Sequence, residues 1–313
     1  MPRPLRGSIK LLKDAPVIRE VRKVFGGYDR WRQVHRLTGL LVAAAFFHGL
    51  LDGSLFPKSP LLRWSYVVIG GIGLLFYVYR ELLARFFLSL HDDEVHEISA
   101  AGEGLVEISL RPLGRPVTFV PGQFALVYIE AKDGWHRHPF TIASAPSKGL
   151  VRVTVKALGD YTSSLRDLLE PGMPAVIGGP HGRFDHAKGT PDQVWIAGGV
   201  GVAPFLSWMR ALDEHPPPGP VDLYYAFTGG PAPFADELTA IGAANEAVRV
   251  HLVDSAVEGR FTAARILAES GIESTRLSAF LCGPEAMLQD LQRGLRKGGI
   301  QSRNIHREYF DWR

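Results

Sequence analysis

A glycine-rich stretch near the middle of the chain has the composition of an anion-binding loop. It follows a short apolar run, residues 194–197, and precedes a predicted helix, residues 205–212, and it reads Gly198-Gly199-Val200-Gly201-Val202-Ala203-Pro204. Glycines at such a junction let the backbone approach a pyrophosphate, and the start of the helix that follows favours negative charge. Glycine-rich turns are common, so this loop alone is weak evidence for a nucleotide site.

A second short motif, Cys282-Gly283-Pro284, closes the last long apolar run of the chain. Apolar runs and helical stretches alternate through this half: 221–227, 235–241, 248–253, 263–269, 279–282 and 284–297. The alternation predicts a parallel α/β sheet, and ligands of such sheets bind at the carboxyl ends of the strands. A lone cysteine at that edge either contacts the ligand or is a small buried apolar residue.

Upstream, four consecutive residues combine a cation-capable ring, an aromatic ring and a hydroxyl: His138-Pro139-Phe140-Thr141. Such a set can hold a phosphate, a flavin ring and a flavin nitrogen. Around it, apolar and polar residues alternate over short runs at 106–110, 118–120, 124–129 and 151–155. Alternation with turn signals between the runs predicts an antiparallel β-barrel.

A glycine turn with hydroxyl side chains, residues 156–163, leads into the amphipathic stretch 165–169. Backbone N–H groups at the start of a helix form a natural pyrophosphate site. The same pattern is equally typical of a simple helix N-cap. The residues alone therefore leave both interpretations open.

Two long apolar runs precede these motifs. Residues 37–56 have only His48 and Asp52 as strongly polar members, and residues 61–90 contain an uncharged stretch from 64 to 79. Each run is long enough, at about 1.5 Å per residue, to cross the hydrocarbon core of a bilayer. The pair predicts a transmembrane hairpin, and the alternative is a buried helical hairpin of a soluble protein.

The charge distribution predicts the orientation of this hairpin. Residues 1–36 carry ten Lys and Arg against three acidic residues, although the net charge of the chain is only +3. Basic segments beside membrane spans face the cytoplasm. We therefore expect a multi-pass protein of the cell membrane, with both termini and the later domains in the cytoplasm, and no nucleic-acid partner. The single cysteine excludes an intrachain disulfide and an iron–sulfur cluster held by four cysteines.

Two histidines, His35 and His48, lie 13 residues apart on the first predicted helix. A helix separates such residues by about 20 Å along its axis and by about 140° around it. The axial distance suits two stacked haems, whereas the rotation requires a distorted helix. Alternatively, His35 is an interfacial residue and only His48 lies within the membrane, where ionisable side chains are usually functional.

In their order and spacing, the three motifs resemble those of the ferredoxin-reductase-like flavoproteins. The His-Pro-Phe-Thr form is similar to that of the membrane branch, the ferric reductases and NADPH oxidases, whereas soluble members carry Arg-x-Tyr-Ser there. The resemblance covers nearly the whole chain. It implies a membrane-bound oxidoreductase that passes electrons from NADPH or NADH through FAD to a one-electron acceptor, namely haem, ferric iron or oxygen.

The resemblance also implies the roles of site residues. Phe140 would pack on the isoalloxazine, Thr141 would hydrogen-bond its reactive edge, and His138, with Pro139 beside it, would serve the FAD phosphates. A second phosphate-binding element would consist of Lys156, Gly159, Thr162 and Ser163. The nicotinamide nucleotide would be bound by Gly198, Gly199, Gly201, Pro204, Cys282, Gly283, Pro284 and Met287. Thr141 and Cys282 would lie at the reacting centre.

Two further expectations concern the nucleotide. The chain ends in an aromatic segment, residues 308–313, that resembles the family's cover over the flavin face; we expect Phe310 to make that contact, and packing on the barrel is the alternative. A preference for NADPH is expected because no acidic residue follows the run at 221–227 and because Arg260 can reach a 2′-phosphate. Arg260 can instead cap a helix or pair with Glu258.

The expected fold class is α+β multidomain, with a two-helix transmembrane hairpin, an antiparallel β-barrel FAD domain and a parallel α/β nucleotide-binding domain. The expected boundaries are a basic segment at 1–36, the hairpin at 37–90, the FAD domain at 91–188 and the NAD(P) domain at 189–313.

Relatives in the membrane branch have six membrane helices, with haems held between histidines of two helices. The hairpin would match the last two of the six, and its second helix has no histidine. The chain is then expected to be a truncated product, one half of a split system with a separate subunit that bears haem b, or a lineage without haem. Other possible functions are a membrane-anchored flavin reductase for a cytoplasmic redox partner and a redox-silent subunit.

Overall fold

The computed structural model describes residues 28–52, 59–79, 90–102, 104–131, 134–157, 165 and 168–308. The chain divides into two compact units, Met1–Leu88 and Ser89–Arg313. Within the described residues, the first unit is helical, and the second holds two β-sheets with their helices.

The helices of the first unit are α1 (Tyr28–Asp52) and α2 (Pro60–Val78). Of the described helices, α2 alone is long and apolar enough to cross a membrane, because the apolar part of α1, Thr38–Leu51, falls short of 18 residues. The second predicted span, 61–90, is wrong at its end: α2 stops at Val78, and Leu90 opens a β-strand. The charged residues that follow Leu90 belong to that strand and not to a membrane helix.

The two helices pack antiparallel through glycines that face aromatic rings. A side chain at Gly39 would overlap Tyr77, and one at Gly49 would overlap Tyr66. Phe46 stacks on Tyr66 with ring centroids 5.3 Å apart, and the Tyr66 hydroxyl donates to the Phe46 carbonyl at 3.2 Å. Small residues opposite large ones bring helix backbones close, as membrane helices commonly do.

The first sheet of the second unit consists of six antiparallel strands: β1 (Leu90–Gly102), β2 (Leu105–Pro112), β3 (Phe124–Ala131), β4 (Gly134–Thr141), β5 (Val151–Lys156) and β6 (Pro174–His181). Their order is β4-β3-β6-β1-β2-β5. The sheet curls until its edges meet at a bridge between Ile142 and Val153. The predicted barrel is therefore a curled antiparallel sheet. Its inner face buries alternate apolar side chains: Ile108, Leu110, Val127, Ile129, Val153 and Ile177.

Three parts of this sheet differ from the predicted strands. The predicted strand at 118–120 is irregular. The N–H of Val120 donates to the Gln123 side chain at 2.9 Å, and this hydrogen bond forms a turn in place of pairing with a neighbouring strand. Strands β1 and β6 were missed. Charged residues interrupt the alternation of apolar and polar side chains in β1, and Gly and Pro residues interrupt it in β6.

The second sheet is parallel and consists of β7 (Asp192–Gly198), β8 (Val221–Phe227), β9 (Val248–Asp254), β10 (Leu277–Cys282) and β11 (Ile305–Glu308). Its order is β11-β10-β7-β8-β9. The helices are α3 (Ala203–Arg210), α4 (Ala235–Ala244), α5 (Ala263–Ser270) and α6 (Glu285–Lys297). Buried residues of α3 and α4 share one apolar core, and those of α5 and α6 share another. The predicted parallel α/β arrangement is confirmed, and β11, only four residues long, was missed.

Candidate active site

The strand order of the parallel sheet reverses between the carboxyl ends of β7 and β10. From β7 the chain runs outward through β8 to β9 and then returns to β10 on the other side of β7. Ligands of parallel α/β sheets bind where the strand order reverses in this way. Cys282, the last residue of β10, pairs with Ala197 of β7. The two glycine motifs, which follow these strands, therefore lie side by side.

The two loops touch, and space at their contact admits only glycine. A Cβ atom at Gly201 would lie 2.6 Å from the backbone nitrogen of Gly283, and one at Gly198 would lie 2.8 Å from the Met287 sulfur. Non-bonded atoms do not approach so closely. The structure thus brings together four residues that sequence analysis assigned to the nicotinamide site from two distant motifs.

The loop leads directly into α3. Gly199 has φ +55°, a left-handed conformation that glycine adopts without strain. A 3₁₀ turn, Gly199–Val202, follows, and Pro204 lies in the first turn of α3, whose N-cap makes no side-chain hydrogen bond. The Ala203 N–H donates to the Val200 carbonyl, so the 3₁₀ turn and α3 form one continuous helical segment that begins at Gly199, and a helix start favours an anion. The geometry of this loop therefore fits the pyrophosphate of a dinucleotide.

The predicted flavin motif ends β4, an edge strand, where Pro139 costs no ladder hydrogen bond. Thr141 is 5% exposed, whereas Phe140 and His138 are half-buried. The last two lie two residues apart, so they share one face of the strand, with ring centroids 6.1 Å apart. An imidazole, an aromatic ring and a hydroxyl at one strand end can hold a phosphate and a flavin ring.

Of the other predicted flavin contacts, one lies within the residues that the structure describes. Lys156 ends β5 and is exposed. Gly159, Thr162, Ser163 and Phe310 lie outside the described residues. Their assigned roles stay predictions.

Comparison with known proteins assigns both sheets. Residues 93–198 match the FAD-binding domain family, and residues 195–293 match the oxidoreductase NAD-binding domain family. The chain belongs to the ferredoxin-reductase-type flavoproteins. The family resemblance stated from the motifs is thereby confirmed.

Curated relatives of this flavoprotein include a reductase component of a larger enzyme system. The ferredoxin–NAD(+) reductase component of the alkene monooxygenase system of Xanthobacter autotrophicus is 31% identical over 216 residues, which cover 64% of this chain and 63% of that protein. A flavohemoprotein of Bacillus cereus is 24% identical, with coverage of 63% and 54%. NADPH oxidase 3 of Homo sapiens is 28% identical over 143 residues, with coverage of 42% and 25%. The chain thus spans less than two thirds of the length of each of these three relatives.

Solved structures share the fold at low sequence identity. The flavohemoglobin of Malassezia yamatoensis superposes with a TM-score of 0.63 at 19% identity, covering 85% of this chain and 72% of that one. A ferredoxin NADP+ reductase of Neisseria gonorrhoeae superposes with a TM-score of 0.57 at 18% identity, covering 70% and 98%. These likenesses confirm the architecture of a curled antiparallel sheet followed by a parallel one.

The family matches give this ferredoxin-reductase-type protein an FAD-binding domain and an oxidoreductase NAD-binding domain. Its own geometry fits both cofactors. No side chain stands between Gly201 and Gly283, and β4 ends in an aromatic ring and a hydroxyl. The expectations for FAD and NAD(P)H are confirmed.

Cys282 lies deeper than its predicted role suggests. Its side chain is fully buried in a core cluster with Ala143, Phe184 and Phe280. Burial, together with the nearby charge of Glu308, raises the pKa of the Cys282 thiol well above its usual value. The thiol is therefore neutral and packs as a small apolar group, the second of the two interpretations of the sequence. Its assignment to the reacting centre stays a prediction.

Glu308 is a site residue that sequence analysis did not single out. It ends β11 and pairs with Cys282, so its backbone lies beside the Cys282-Gly283-Pro284 motif. Burial raises the pKa of Glu308 to about 7. A carboxyl group that ionises near neutral pH therefore lies on the strand next to β10, beside the predicted nicotinamide site. The available signal was an acidic residue directly before the aromatic C-terminal segment.

The raised pKa of Glu308 predicts a pH dependence of stability. Burial disfavours the charged form of Glu308, so ionisation of this carboxyl destabilises the folded state. The contribution of Glu308 to the free energy of unfolding is therefore fully present below the usual pKa of 4.5 and is lost as the pH rises through about 7. We expect the free energy of unfolding of Glu308→Gln to fall less than that of the wild type over this interval. Urea unfolding at a series of pH values measures it, with Glu246→Gln, a change at an exposed loop carboxyl, as control. Equal pH slopes for all three proteins would contradict the prediction.

Arg260 lies at the surface, with its side chain 93% exposed and its guanidinium 4.0 Å from the Asp290 carboxylate. The alternative partner, Glu258, pairs with Arg265 at 2.8 Å. An acidic residue that sequence analysis did not weigh, Asp254, ends β9 and reaches the turn after β8: its carboxylate accepts from the Gly229 N–H in that turn at 2.9 Å. The NADPH preference and the role of Arg260 stay predictions.

The two candidate haem ligands lie on one helix. His35 and His48 both belong to α1, and the His48 side chain is exposed on that helix. The side chain of His35 lies outside the described residues. A haem site at either histidine stays a prediction.

Proposed function

We propose that this oxidoreductase is anchored in the cell membrane by α1 and α2, with its two sheets in the cytoplasm, and that it delivers electrons from NAD(P)H through FAD to a one-electron acceptor. When bound, FAD accepts a hydride from the nicotinamide and can release the two electrons singly. The acceptor is haem, ferric iron or oxygen.

The observation that supports the anchor is the outer surface of the helical hairpin. The faces between the helices pack, whereas large apolar side chains around the outside are exposed: Leu40, Leu41, Val42, Phe47, Leu51, Leu61, Leu62, Trp64, Val68, Ile69, Ile72, Leu75, Phe76 and Tyr79. An exposed apolar surface of this extent is unfavourable in water and typical of a segment that contacts lipid or other membrane helices.

In this proposal the chain's own residues bind, orient and shield the reactants. The His138 ring faces the FAD phosphates, Phe140 packs on the flavin ring, and the Thr141 hydroxyl hydrogen-bonds its reactive edge. Gly198, Gly199, Gly201 and Pro204 hold the nucleotide pyrophosphate. Gly283, Pro284 and Met287 line the side of the nicotinamide, and the Glu308 carboxyl, with its raised pKa, lies on the neighbouring strand β11.

A second candidate function follows from the relatives. The alkene monooxygenase reductase of Xanthobacter autotrophicus and the toluate 1,2-dioxygenase electron transfer component of Pseudomonas putida are reductase components of larger systems. By analogy, the hairpin would hold a reductase at the membrane for a cytoplasmic redox partner. Haem content separates the second candidate from the form of the first in which haem is the acceptor: that form shows a Soret band beside the flavin bands in protein purified from membranes, whereas the second candidate shows flavin alone.

The anchor is tested by placing charge on the hairpin. We expect wild-type protein to resist alkaline carbonate extraction, and the double variant Ile69→Lys, Ile72→Lys to leave the membrane fraction. Both side chains are more than half exposed, and each lysine near a helix centre costs about 2.5–3.5 kcal/mol on insertion. Fractionation with immunoblotting measures the partition.

Val257→Lys is the matched control, since Val257 is 82% exposed but lies in the second unit, where a charge meets water. It should remain in the membrane fraction like the wild type. Extraction of the wild type by carbonate, or retention of the double variant in the membrane, would contradict the proposed anchor.

A further inference from the structure

Helix α3 connects the nucleotide loop to the flavin strand. It begins at the glycine loop and is eight residues long, about 12 Å at 1.5 Å per residue. Near its other end, three side chains donate hydrogen bonds to carbonyls of the first sheet's domain. Ser207 Oγ donates to Ser144 at 2.8 Å, Trp208 Nε1 to Pro121 at 3.0 Å, and Arg210 Nη1 to Ala143 at 2.9 Å.

The accepting carbonyls belong to the segments that hold the flavin motif in place. Ala143 and Ser144 follow Thr141 after one intervening residue, Ile142, and the Ala143 N–H donates to the Arg152 carbonyl of β5 at 2.7 Å. Pro121 begins the turn to Gln123, whose carbonyl accepts from the Ile142 N–H at 3.0 Å. A shift of α3 would therefore be transmitted to the end of β4.

Arg210 makes this connection stiff. Its buried guanidinium bonds Glu107 of β2 at 2.7 Å and, through Nε and Nη2, both oxygens of Glu237 on α4 at 2.7 and 2.8 Å. Burial lowers the pKa of Arg210, but the hydrogen bonds to Glu237 and the charge of Glu107 outweigh it and raise the pKa. The planar fork of arginine serves both carboxylates at once, which a lysine ammonium cannot do.

Trp208 packs tightly against the turn at Gly122, which restricts movement of α3 along that turn. A Cβ atom at Gly122 would lie 2.6 Å from Trp208 Nε1, so the indole packs directly on that turn. Its ring stacks on Phe184 with centroids 4.9 Å apart. Close packing of this kind transmits displacement instead of absorbing it.

We propose that Ser207, Trp208 and Arg210 are positioning residues that fix the distance and angle between the nicotinamide and the flavin. They touch neither reactant in this account and act through α3 and the end of β4. The inference rests on hydride transfer between the two cofactors, which depends steeply on their alignment.

The test uses two single variants of the full-length holoprotein, Arg210→Lys and Trp208→Phe. The first keeps the charge and removes the fork, and the second keeps an aromatic ring and removes one donor. We expect flavin reduction by NAD(P)H in a single turnover to slow about tenfold to 100-fold. The charge-transfer absorbance of the stacked nicotinamide and flavin should weaken, while FAD content and the nucleotide Kd stay at wild-type values. If Arg210→Lys loses FAD, Trp208→Phe carries the same test.

Arg249→Lys is the control, because Arg249 pairs with buried Asp222 at 2.7 Å within the second sheet, away from α3. Wild-type charge-transfer absorbance and reduction rate in both α3 variants, or equal losses in the control, would overturn the positioning role. Failure of the proposed function has a different signature. In that case the wild type would bind both FAD and nucleotide without flavin reduction or a charge-transfer band, which would overturn both.

Discussion

Replacing Gly201 by alanine is expected to slow flavin reduction by NAD(P)H about 100-fold while FAD stays bound. The added Cβ atom would lie 2.6 Å from the Gly283 nitrogen, so the two loops at the ends of β7 and β10 must move apart. The atoms that this Cβ would contact belong to the backbone of Cys282 and Gly283, so they cannot rotate away as a side chain could. The nucleotide would then bind in a widened crevice, and its nicotinamide would be displaced from the flavin. Stopped-flow absorbance under anaerobic conditions measures the rate, and absorbance of the purified protein measures FAD content.

Gly199→Ala is the matched control in the same loop. A Cβ atom there meets open space, so only the left-handed backbone, at φ +55°, is disfavoured, at a cost of about 1–2 kcal/mol. We expect a modest loss of stability and a much smaller effect on the rate. Equal rates for the two variants would show that the contact between the loops does not determine nucleotide position.

Removing the Thr141 hydroxyl is expected to slow flavin reduction about tenfold, since one hydrogen bond of about 1.4 kcal/mol made in the transition state corresponds to that factor. The side chain is 5% exposed at the end of β4, and in the proposed site it faces the reactive edge of the flavin. Thr141→Ala should weaken FAD binding less than it slows reduction. Single-turnover reduction and FAD titration of the apoprotein measure the two effects separately.

Two variants accompany this test. Thr141→Ser retains the hydroxyl and should keep the wild-type rate. Thr154→Ala removes a buried threonine hydroxyl outside the motif, on the strand whose Val153 bridges Ile142, and should also leave the rate unchanged. An unchanged reduction rate in Thr141→Ala would remove this hydroxyl from the mechanism.

The nucleotide domain was predictable from the sequence because its strands are short, apolar and separated by helices. The run at 221–227 coincides with β8, and the glycine loop lies at the predicted junction of strand and helix. The motifs that contain Gly201 and Gly283 could be placed at one edge of a parallel sheet. Their direct contact depends on β10 returning beside β7, which no local pattern encodes.

Other features escaped the sequence because their causes are tertiary. Strand β1 carries charged residues, yet pairing on both sides buries Asp93 and Val95 within the sheet. Glu308 has a raised pKa only because β11 lies beside β10 and buries it. Arg210 ends a short helix like many surface arginines, and its two carboxylate partners lie on β2 and α4. These contacts link parts of the chain that are distant in sequence.

In the proposed reaction, a nicotinamide bound between β7 and β10 transfers hydride to a flavin held at the end of β4. The most direct test is anaerobic stopped-flow mixing of FAD-loaded, full-length protein with NAD(P)H, in parallel with NAD(P)H deuterated at the transferred position of C4. We predict that the visible flavin absorbance bleaches in a single turnover and that deuterium slows this phase. Protein that binds both FAD and the nucleotide but keeps its flavin oxidised would contradict the account.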